Sequence, residues 1–370
     1  MRHYVGMDLH SNNTYVGILD ENDRRVLKGK FANELPTILK ILAPYKEETE
    51  GVVVESTFNW YWLVDGLIDA GYRVHLANPC ATQQYKGLKY TDDRHDAFWL
   101  ATMLKLGILP EGTIFEKQER QLRDLLRKRL MLVHQRTTHI LSFKSLLNRN
   151  LSLRINSNRI KTFTENDIDE LIEGPHLNLS ARANIATMRF LDSQIRIIEK
   201  EILGQVKLTP EFEKLMTIPG IGKALALTIL LETGDIKRFK SASNYASYCR
   251  CVPSIRLSND KAKGKNNRKN GNKYLGWAFV EAANFAKRYC PLAKQYYQRK
   301  TAKTNSIIAI KAMANKIAKT CFYIIRDGAD YDPMKIFANP LINKGCDSKP
   351  TQGLANNQNA PIGLTVATTR

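Results

Sequence analysis

The sequence has few cysteines, no long apolar run and too few acids for its bases, and each shortage closes off a class of protein. The six cysteines include Cys249 and Cys251, yet no CxxC pair and no Cys/His cluster at zinc spacing occurs. A structural metal held by thiolates is therefore not expected. Cys80, Cys290 and Cys321 read as core packing, and a reducing, cytoplasmic compartment is the default. No apolar run approaches the length that spans a bilayer, and no signal peptide opens the chain, so a membrane protein is not expected. Against 56 Lys and Arg stand only 36 Asp and Glu, a formal net charge of +20. So large an excess of bases calls for a polyanionic partner, most simply nucleic acid. With 370 residues the chain is long enough for two or three domains with real cores.

What is present begins with Arg2 to Asp20. Two apolar runs, Tyr4-Val5-Gly6-Met7 and Tyr15-Val16-Gly17-Ile18-Leu19, flank the polar Ser11-Asn12-Asn13-Thr14, the pattern of a β-hairpin. Arg24 to Phe31 predicts a third strand, and Asn33 is placed to cap an amphipathic helix running to about Ala43. Gly51 to Glu55 is a short apolar strand of the buried type. Asn59 to Ala70 predicts a helix, Tyr72 to Ala77 a strand stopped by Pro79, and Tyr90 to Leu106 the approach to another helix. Three antiparallel strands followed by helix, strand, helix, strand, helix is the order of a ribonuclease-H-like α/β sheet.

Acids recur along that frame. Asp8 lies near the end of the first strand, Glu55 ends the fourth, and Asp93 and Asp96 stand one turn apart on the last helix. A spacing of i, i+3 puts two side chains on one helix face. A strand-end Asp alone is more often a turn former, and Asp92 or Asp93 alone a helix cap. Four carboxylates converging on one sheet edge, however, repel unless divalent cations neutralise them. Two Mg²⁺ ions in such a set can activate a nucleophile and stabilise a leaving oxygen in phosphodiester chemistry. The residues leave Asp92 and Asp93 both open as the third ligand, and the i, i+3 geometry favours Asp93. His10 and His95 lie near this set and read as surface or hydrogen-bonded histidines.

From Glu116 to Leu153 there is no proline or glycine, and Leu122, Leu125, Leu126, Leu130, Val133, Ile140 and Leu147 recur at helical spacing. Arg120, Arg123, Arg127, Lys128 and Arg129 fill other faces and read as a phosphate-facing stripe. A second long helix is expected from Leu179 to about Val206, after a linker containing Gly174-Pro175. Two long helices returning on each other predict an antiparallel arm or coiled coil suited to oligomerisation.

Near Leu208 the character changes again. Ile218-Pro219-Gly220-Ile221-Gly222-Lys223 has the form of a helix-hairpin-helix turn, whose backbone N–H groups and following helix N-terminus can hold a phosphate. Tyr248 to Asn259 then runs into Lys261, Lys263, Lys265, Arg268, Lys269 and Lys273, interleaved with Gly264, Gly271 and several Asn. With Arg256, this basic stretch reads as a loop that grips phosphate without folding by itself. Helices are expected over Tyr274 to Lys287 and Ser306 to Arg326, and a disordered tail after Phe337.

The quartet Asp8, Glu55, Asp93 and Asp96, the Pro219-Gly220-Ile221-Gly222 turn, and a serine followed by the segment KNGNKYLGWAFVEAANFA together resemble one family. The sequence is similar to the DEDD transposases of the insertion sequence 110 family, in the subgroup with Ser-Asn rather than Ser-Gly after the central strand. The likeness runs to about Phe337. It implies a RuvC-like catalytic domain over 1–110, a helical arm over 111–207, a mainly α C-terminal transposase domain over 208–337, and a tail over 338–370. It implies Mg²⁺, donor and target DNA, a guide (bridge) RNA transcribed from the element itself, and a tetramer or dimer of dimers in a prokaryotic cytoplasm. The family's nucleophilic serine matches Ser258, with Asn259 where the broader family has glycine.

Two other readings compete on the residues. A junction-resolving endonuclease would use the four acids with water as nucleophile, and Ser254 is a rival to Ser258. A non-catalytic nucleic-acid-binding protein would keep the acids for structure. The long basic arm and the Ser258 region disfavour the first, and the acid quartet the second.

Overall fold

The computed structural model describes residues 1–82, 93–205, 209–253, 255–259, 261–265 and 270–338. Its N-terminal part is built on β1 (His3–Leu9), β2 (Asn13–Asp20), β3 (Arg25–Ala32), β4 (Thr49–Glu55) and β5 (Val74–Ala77). The strands lie in the order β3-β2-β1-β4-β5. β1, β2 and β3 pair antiparallel, while β4 and β5 continue the sheet parallel to β1. Helices α1 (Leu35–Leu42), α2 (Tyr61–Asp69), the short α3 (Pro79–Thr82) and α4 (Asp93–Lys105) complete this part. The meander followed by βα units is the order expected from the sequence.

Strand alternation divides the sheet into two faces. Val5, Met7, Leu9, Val16, Ile18, Val52 and Val54 form one face with Ile38, Leu42, Leu63, Val64 and Leu67 of α1 and α2. The opposite face carries Tyr4, Leu19 and Val53, which pack with Phe98, Leu100, Ala101 and Met103 of α4. Asn33 does not cap α1. Glu34 holds that position with no side-chain bond to the helix amides, its carboxylate accepting instead from the Thr37 hydroxyl at 3.0 Å. Asn33 instead donates to the carbonyls of His10 (2.9 Å) and Ser11 (3.1 Å) and accepts from the Thr14 hydroxyl (2.6 Å), clamping the β1–β2 loop.

Next come α5 (Lys117–Leu151), the short α6 (Ser157–Ile160) and α7 (Glu165–Leu171), and α8 (Pro175–Gln205). α8 starts four residues before the expected Leu179, because proline is well placed in a first helical turn. α5 and α8 pack antiparallel. Arg129 meets Glu199, Arg136 meets Asp192, and His139 meets Asn184, partners that descend along one helix as they rise along the other.

The C-terminal part comprises α9 (Pro210–Met216), α10 (Lys223–Thr233), α11 (Ala242–Tyr248), β6 (Ile255–Ser258), β7 (Lys261–Lys265), α12 (Lys273–Tyr289), α13 (Pro291–Lys303), α14 (Ser306–Asp327) and α15 (Pro333–Phe337). Alanines line the contact of α12 with α14, at Ala278, Ala282, Ala283, Ala286, Ala314 and Ala318, and let the two helices approach closely. Leu126 of α5 and Ile202 of α8 enter this core, so the long helices are rooted in it. The basic stretch expected as a loop is a β-hairpin, with Ile255 opposite Lys265 and Ser258 opposite Lys261. The run Lys261-Ala262-Lys263-Gly264-Lys265 carries no apolar alternation that would mark a strand in the sequence. The expected tail lies beyond the described residues, apart from Ala338.

Candidate active site

Register brings the acids together. Met7 of β1 pairs with Val54 of β4, so the next residues, Asp8 and Glu55, stand side by side at the ends of the two central parallel strands. Alternation puts both on the face that α4 covers, and Asp96, on the first turn of that helix, stands near enough for its charge to act on Asp8. Asp8 is only 4 % exposed. Burial pushes its carboxyl up to about 7; the nearby His10 draws it down, while Glu55, by charge and by a shared hydrogen bond, and Asp96 push it up. His10 Nδ1 lies 3.4 Å from Asp8 Oδ1. The His10 carbonyl accepts from Asn33 and, at 3.1 Å, from Asn59, so the loop beyond Asp8 is held from two sides.

This donor set suits a divalent cation. Two adjacent carboxyl groups, Asp8 and Glu55, are an all-oxygen donor pair, the ligand chemistry of a hard divalent cation such as Mg²⁺. The Asp93 side chain and Asp92 lie outside the described residues, and among those described no group of three or more His, Cys, Asp or Glu is gathered closely enough to hold an ion. Asp93 itself opens α4, one turn before Asp96.

The basic stripe of α5 is used differently from its sequence reading. Arg120 is buried over the rings of Trp60 and Tyr61 and is ion-paired with Asp65. Arg123 is buried over Phe115 and donates to Glu232 at 3.0 Å. Arg127 donates twice to Glu232, at 2.6 and 2.8 Å, and Arg129 donates to Glu199 at 2.7 Å. Four guanidinium groups are thus committed to internal carboxylates, and only Lys128 of this set points to solvent. The acids that claim them are distant in sequence, which a reading of local charge does not reveal.

Farther along, Gly220 takes a φ of 103° and packs against the backbone of α12. Gly222 is the extended N-cap of α10 with no side-chain bond, and Lys223 beside it is exposed. Lys261, Lys263 and Lys273 are exposed. The side chains of Ser258, Arg256 and Lys265, and the residues Ser254, Arg268 and Lys269, lie outside the described residues. Asn259, next to Ser258, has a φ of 49°. Asparagine tolerates this left-handed conformation, and glycine adopts it freely. Glu232 and Asn272 were not singled out in the sequence. The signal for Glu232 was a lone acid inside the apolar run Leu225 to Thr233, where a carboxylate demands partners.

A mixed five-stranded sheet of this order, followed by a mostly helical part, is compatible with the ribonuclease-H-like class of transposases. Residues 5–150 match the family model of the IS110-type DEDD transposases. Residues 212–298 match the model described as Transposase IS116/IS110/IS902 family. The chain belongs to the IS110 family of DEDD transposases, proteins of transposition and DNA recombination. It is 22 % identical over 336 residues to the transposase for insertion sequence element IS1328 of Yersinia enterocolitica, covering 88 % of this chain and 97 % of that one. With the insertion element IS110 protein of Streptomyces coelicolor it shares 26 % identity over 148 residues, 40 % of this chain and only 36 % of that protein's length. The pilin gene-inverting protein of Moraxella bovis is 25 % identical over 219 residues, 56 % of this chain and 58 % of that one. No helix among the described residues is long and apolar enough to cross a membrane.

Proposed function

We propose that the protein cuts and rejoins DNA to move an insertion sequence, with Asp8, Glu55, Asp93 and Asp96 as its acid site and Ser258 as its nucleophile. The observation that carries this reading is the convergence of Asp8, Glu55 and Asp96 on one face of the sheet, with Asp8 raised to about 7. The four acids would hold two Mg²⁺ ions. Bound there, they would supply Lewis-acid stabilisation of the charge that builds on a phosphodiester. His10 and the asparagine clamp on its carbonyl keep Asp8 oriented for that role.

In the cutting step the Ser258 Oγ–P bond forms as one P–O bond of the DNA breaks, and the serine proton ends on the released deoxyribose hydroxyl. Rejoining reverses this: a deoxyribose hydroxyl attacks the phosphoserine ester and the serine recovers its proton. The phosphodiester energy is kept throughout. Exposed Lys261 and Lys263 on the same hairpin, with Arg256 beside Ser258 in sequence, suit a phosphate-bearing substrate. The turn ending at Gly222 and Lys223 offers free amide groups at a helix N-terminus for a second phosphate contact.

The net charge of +20 and family membership support a guide RNA bound together with donor and target DNA. Self-association as a tetramer or dimer of dimers is supported by the outer face of α8. Leu179, Ala183, Ala186, Phe190, Ser193 and Ile197 recur there at alternating steps of four and three, the seam of an antiparallel arm or coiled coil with another copy. Leu179 is 67 % exposed, Phe190 63 % and Ile197 60 %.

The decisive experiment traps the protein on DNA with Mg²⁺ and maps the adduct by mass spectrometry. A nucleotide on Ser258, absent in Ser258→Ala and in Asp8→Ala, is the expected result. A nucleotide on Ser254, or cleavage that leaves only free 5′-phosphate ends with no adduct, would overturn the assignment and favour the water-using endonuclease. Recombination that survives exhaustive ribonuclease treatment, with no RNA added back, would remove the guide RNA.

A further inference from the structure

On the helix side of the β6–β7 hairpin, the described residues 248–250 and 270–272 are bonded to each other. The Asn272 amide donates to the Tyr248 carbonyl at 2.6 Å, and Arg250 Nε donates to the carbonyls of Asn270 and Gly271 at 3.0 Å each. The Asn272 side chain works in two directions. Its Oδ1 accepts from the amides of Tyr274 (2.8 Å) and Leu275 (3.1 Å), capping α12, and its Nδ2 donates to Glu232 at 2.7 Å.

Glu232 is 1 % exposed and comes from α10. It also takes the hydrogen bonds of Arg123 and Arg127 from α5, and Arg127 lies over the Tyr274 ring at 4.6 Å. One carboxylate therefore joins α5, α10 and the residue at which the hairpin returns to α12. The same helix α5 is fastened, one turn earlier, to α2 of the sheet through Arg120, Asp65, Trp60 and Tyr61. Apolar side chains of similar volume would hold these helices at least as firmly, whereas an ionic network with directed bonds admits one register.

We propose that Asn272 and Glu232 are positioning residues: through Arg123 and Arg127 they fix the root of the hairpin relative to the helix that is also anchored on the acid-bearing sheet. The inference rests on the reading of Ser258 as nucleophile only for its catalytic consequence. The network sets where the hairpin leaves the helices, and so how often Ser258 is presented to a bound phosphate.

The test uses the full chain with Asn272→Ser, which keeps an oxygen to cap α12 but is too short to reach Glu232, and Arg127→Lys, which keeps the charge but loses the paired bonds. Adduct formation at saturating DNA should slow at least tenfold in Asn272→Ser, with DNA affinity and thermal midpoint near wild type. Amide exchange over residues 255–265 should accelerate, while that of α14 stays unchanged. Arg127→Lys should show the same pattern to a smaller degree, and serves alone if Asn272→Ser does not fold. Wild-type adduct rates with unchanged hairpin exchange would overturn the proposal. A parallel fall in adduct, affinity and midpoint would also overturn it, because the network would then be merely structural. If the wild-type chain forms no adduct on Ser258, the functional reading has failed, and hairpin exchange alone decides this one.

Discussion

Gly6 and Ala97 touch backbone to backbone: a β-carbon on Gly6 would run into the Ala97 carbonyl oxygen and come within 2.9 Å of the Ala101 amide nitrogen. Gly6 shares its sheet face with Asp8, two residues on, and Ala97 follows Asp96. The missing side chain lets α4 descend onto the sheet far enough for the Asp96 charge to act on Asp8. Gly6→Ala must therefore lift or shift α4, since backbone cannot step aside as a side chain can. A loss of about 1–3 kcal/mol in urea denaturation is expected from overpacking. DNA cleavage should fall more steeply than stability, because the acids separate before the domain unfolds.

Asp8 makes metal-free stability depend on pH with a defined sign. Its carboxyl ordinarily titrates near 3.8 and in the folded protein near 7, so the native state holds a proton that the unfolded chain has released. Its stabilising contribution is fully present below about 3.8 and is lost as pH rises through about 7. That gap corresponds to at most roughly 4 kcal/mol. Asp8→Asn should abolish the dependence, so the difference between variant and wild type grows from pH 4 to pH 7 in chelator. Adding Mg²⁺ at pH 8 should raise the thermal midpoint of wild type and leave Asp8→Asn unmoved.

Glu232 has the opposite sign. Burial would raise its carboxyl, but the hydrogen bonds and charge of Arg127, the charge of Arg123 and the bond from Asn272 prevail and hold it below the usual range. The stability it supplies is present above its unfolded value, near 4.5, and is lost as pH falls through the lower folded one. Glu232→Gln leaves the buried Arg123 guanidinium without its counter-charge and takes from the half-buried Arg127 its main partner, and should cost about 3–5 kcal/mol at neutral pH. Chemical denaturation at pH 7 and pH 4 checks both statements: the gap between variant and wild type should narrow at the lower pH.

The sheet and its acids were legible in the sequence for a local reason. Strand alternation and strand order are written in consecutive residues, so Asp8, Glu55 and Asp96 could be assigned to neighbouring ends before any contact was known. Arg120, Arg123 and Arg127 were not legible in the same way. Their spacing gave a basic face, but whether such a face meets phosphate or carboxylate depends on Asp65 and Glu232, which only the fold brings near. Asn33 is no cap for the same reason: its partners are His10, Ser11 and Thr14 around the β1–β2 loop, not the helix that follows. The hairpin escaped because Lys261 to Lys265 carries no apolar alternation and its turn residue, Asn259, signals a bend without saying what it joins.

Asn259 itself is open to test. At a φ of 49°, glycine should be accepted with little change, and Asn259→Gly should form the Ser258 adduct at a rate near wild type. A β-branched residue is poorly suited to that conformation, at a cost of roughly 1–2 kcal/mol. Asn259→Val should therefore distort the turn beside Ser258 and reduce adduct formation about tenfold, with DNA binding retained. Equal adduct yields from the two variants would mean that turn geometry at this position does not control the serine.

The outer face of α8 carries the last expectation. Phe190 and Ile197 are seven residues apart, two helical turns, and both stand in solvent on a helix whose inner face is already filled by α5. Burying two such side chains is worth roughly 1.5–3 kcal/mol each per copy, enough to shift a weak dimer equilibrium by orders of magnitude. Phe190→Asp with Ile197→Asp places charges where the seam would be dry, while leaving the inner contacts of Ile185, Met188, Leu191 and Ile195 untouched. Light scattering after size exclusion should register a lower mass for the double variant at micromolar concentration, with helical content and DNA affinity per protomer unchanged. A wild-type chain that already runs as a monomer under those conditions, or a double variant of unaltered mass, would show that this face does not bind a second copy.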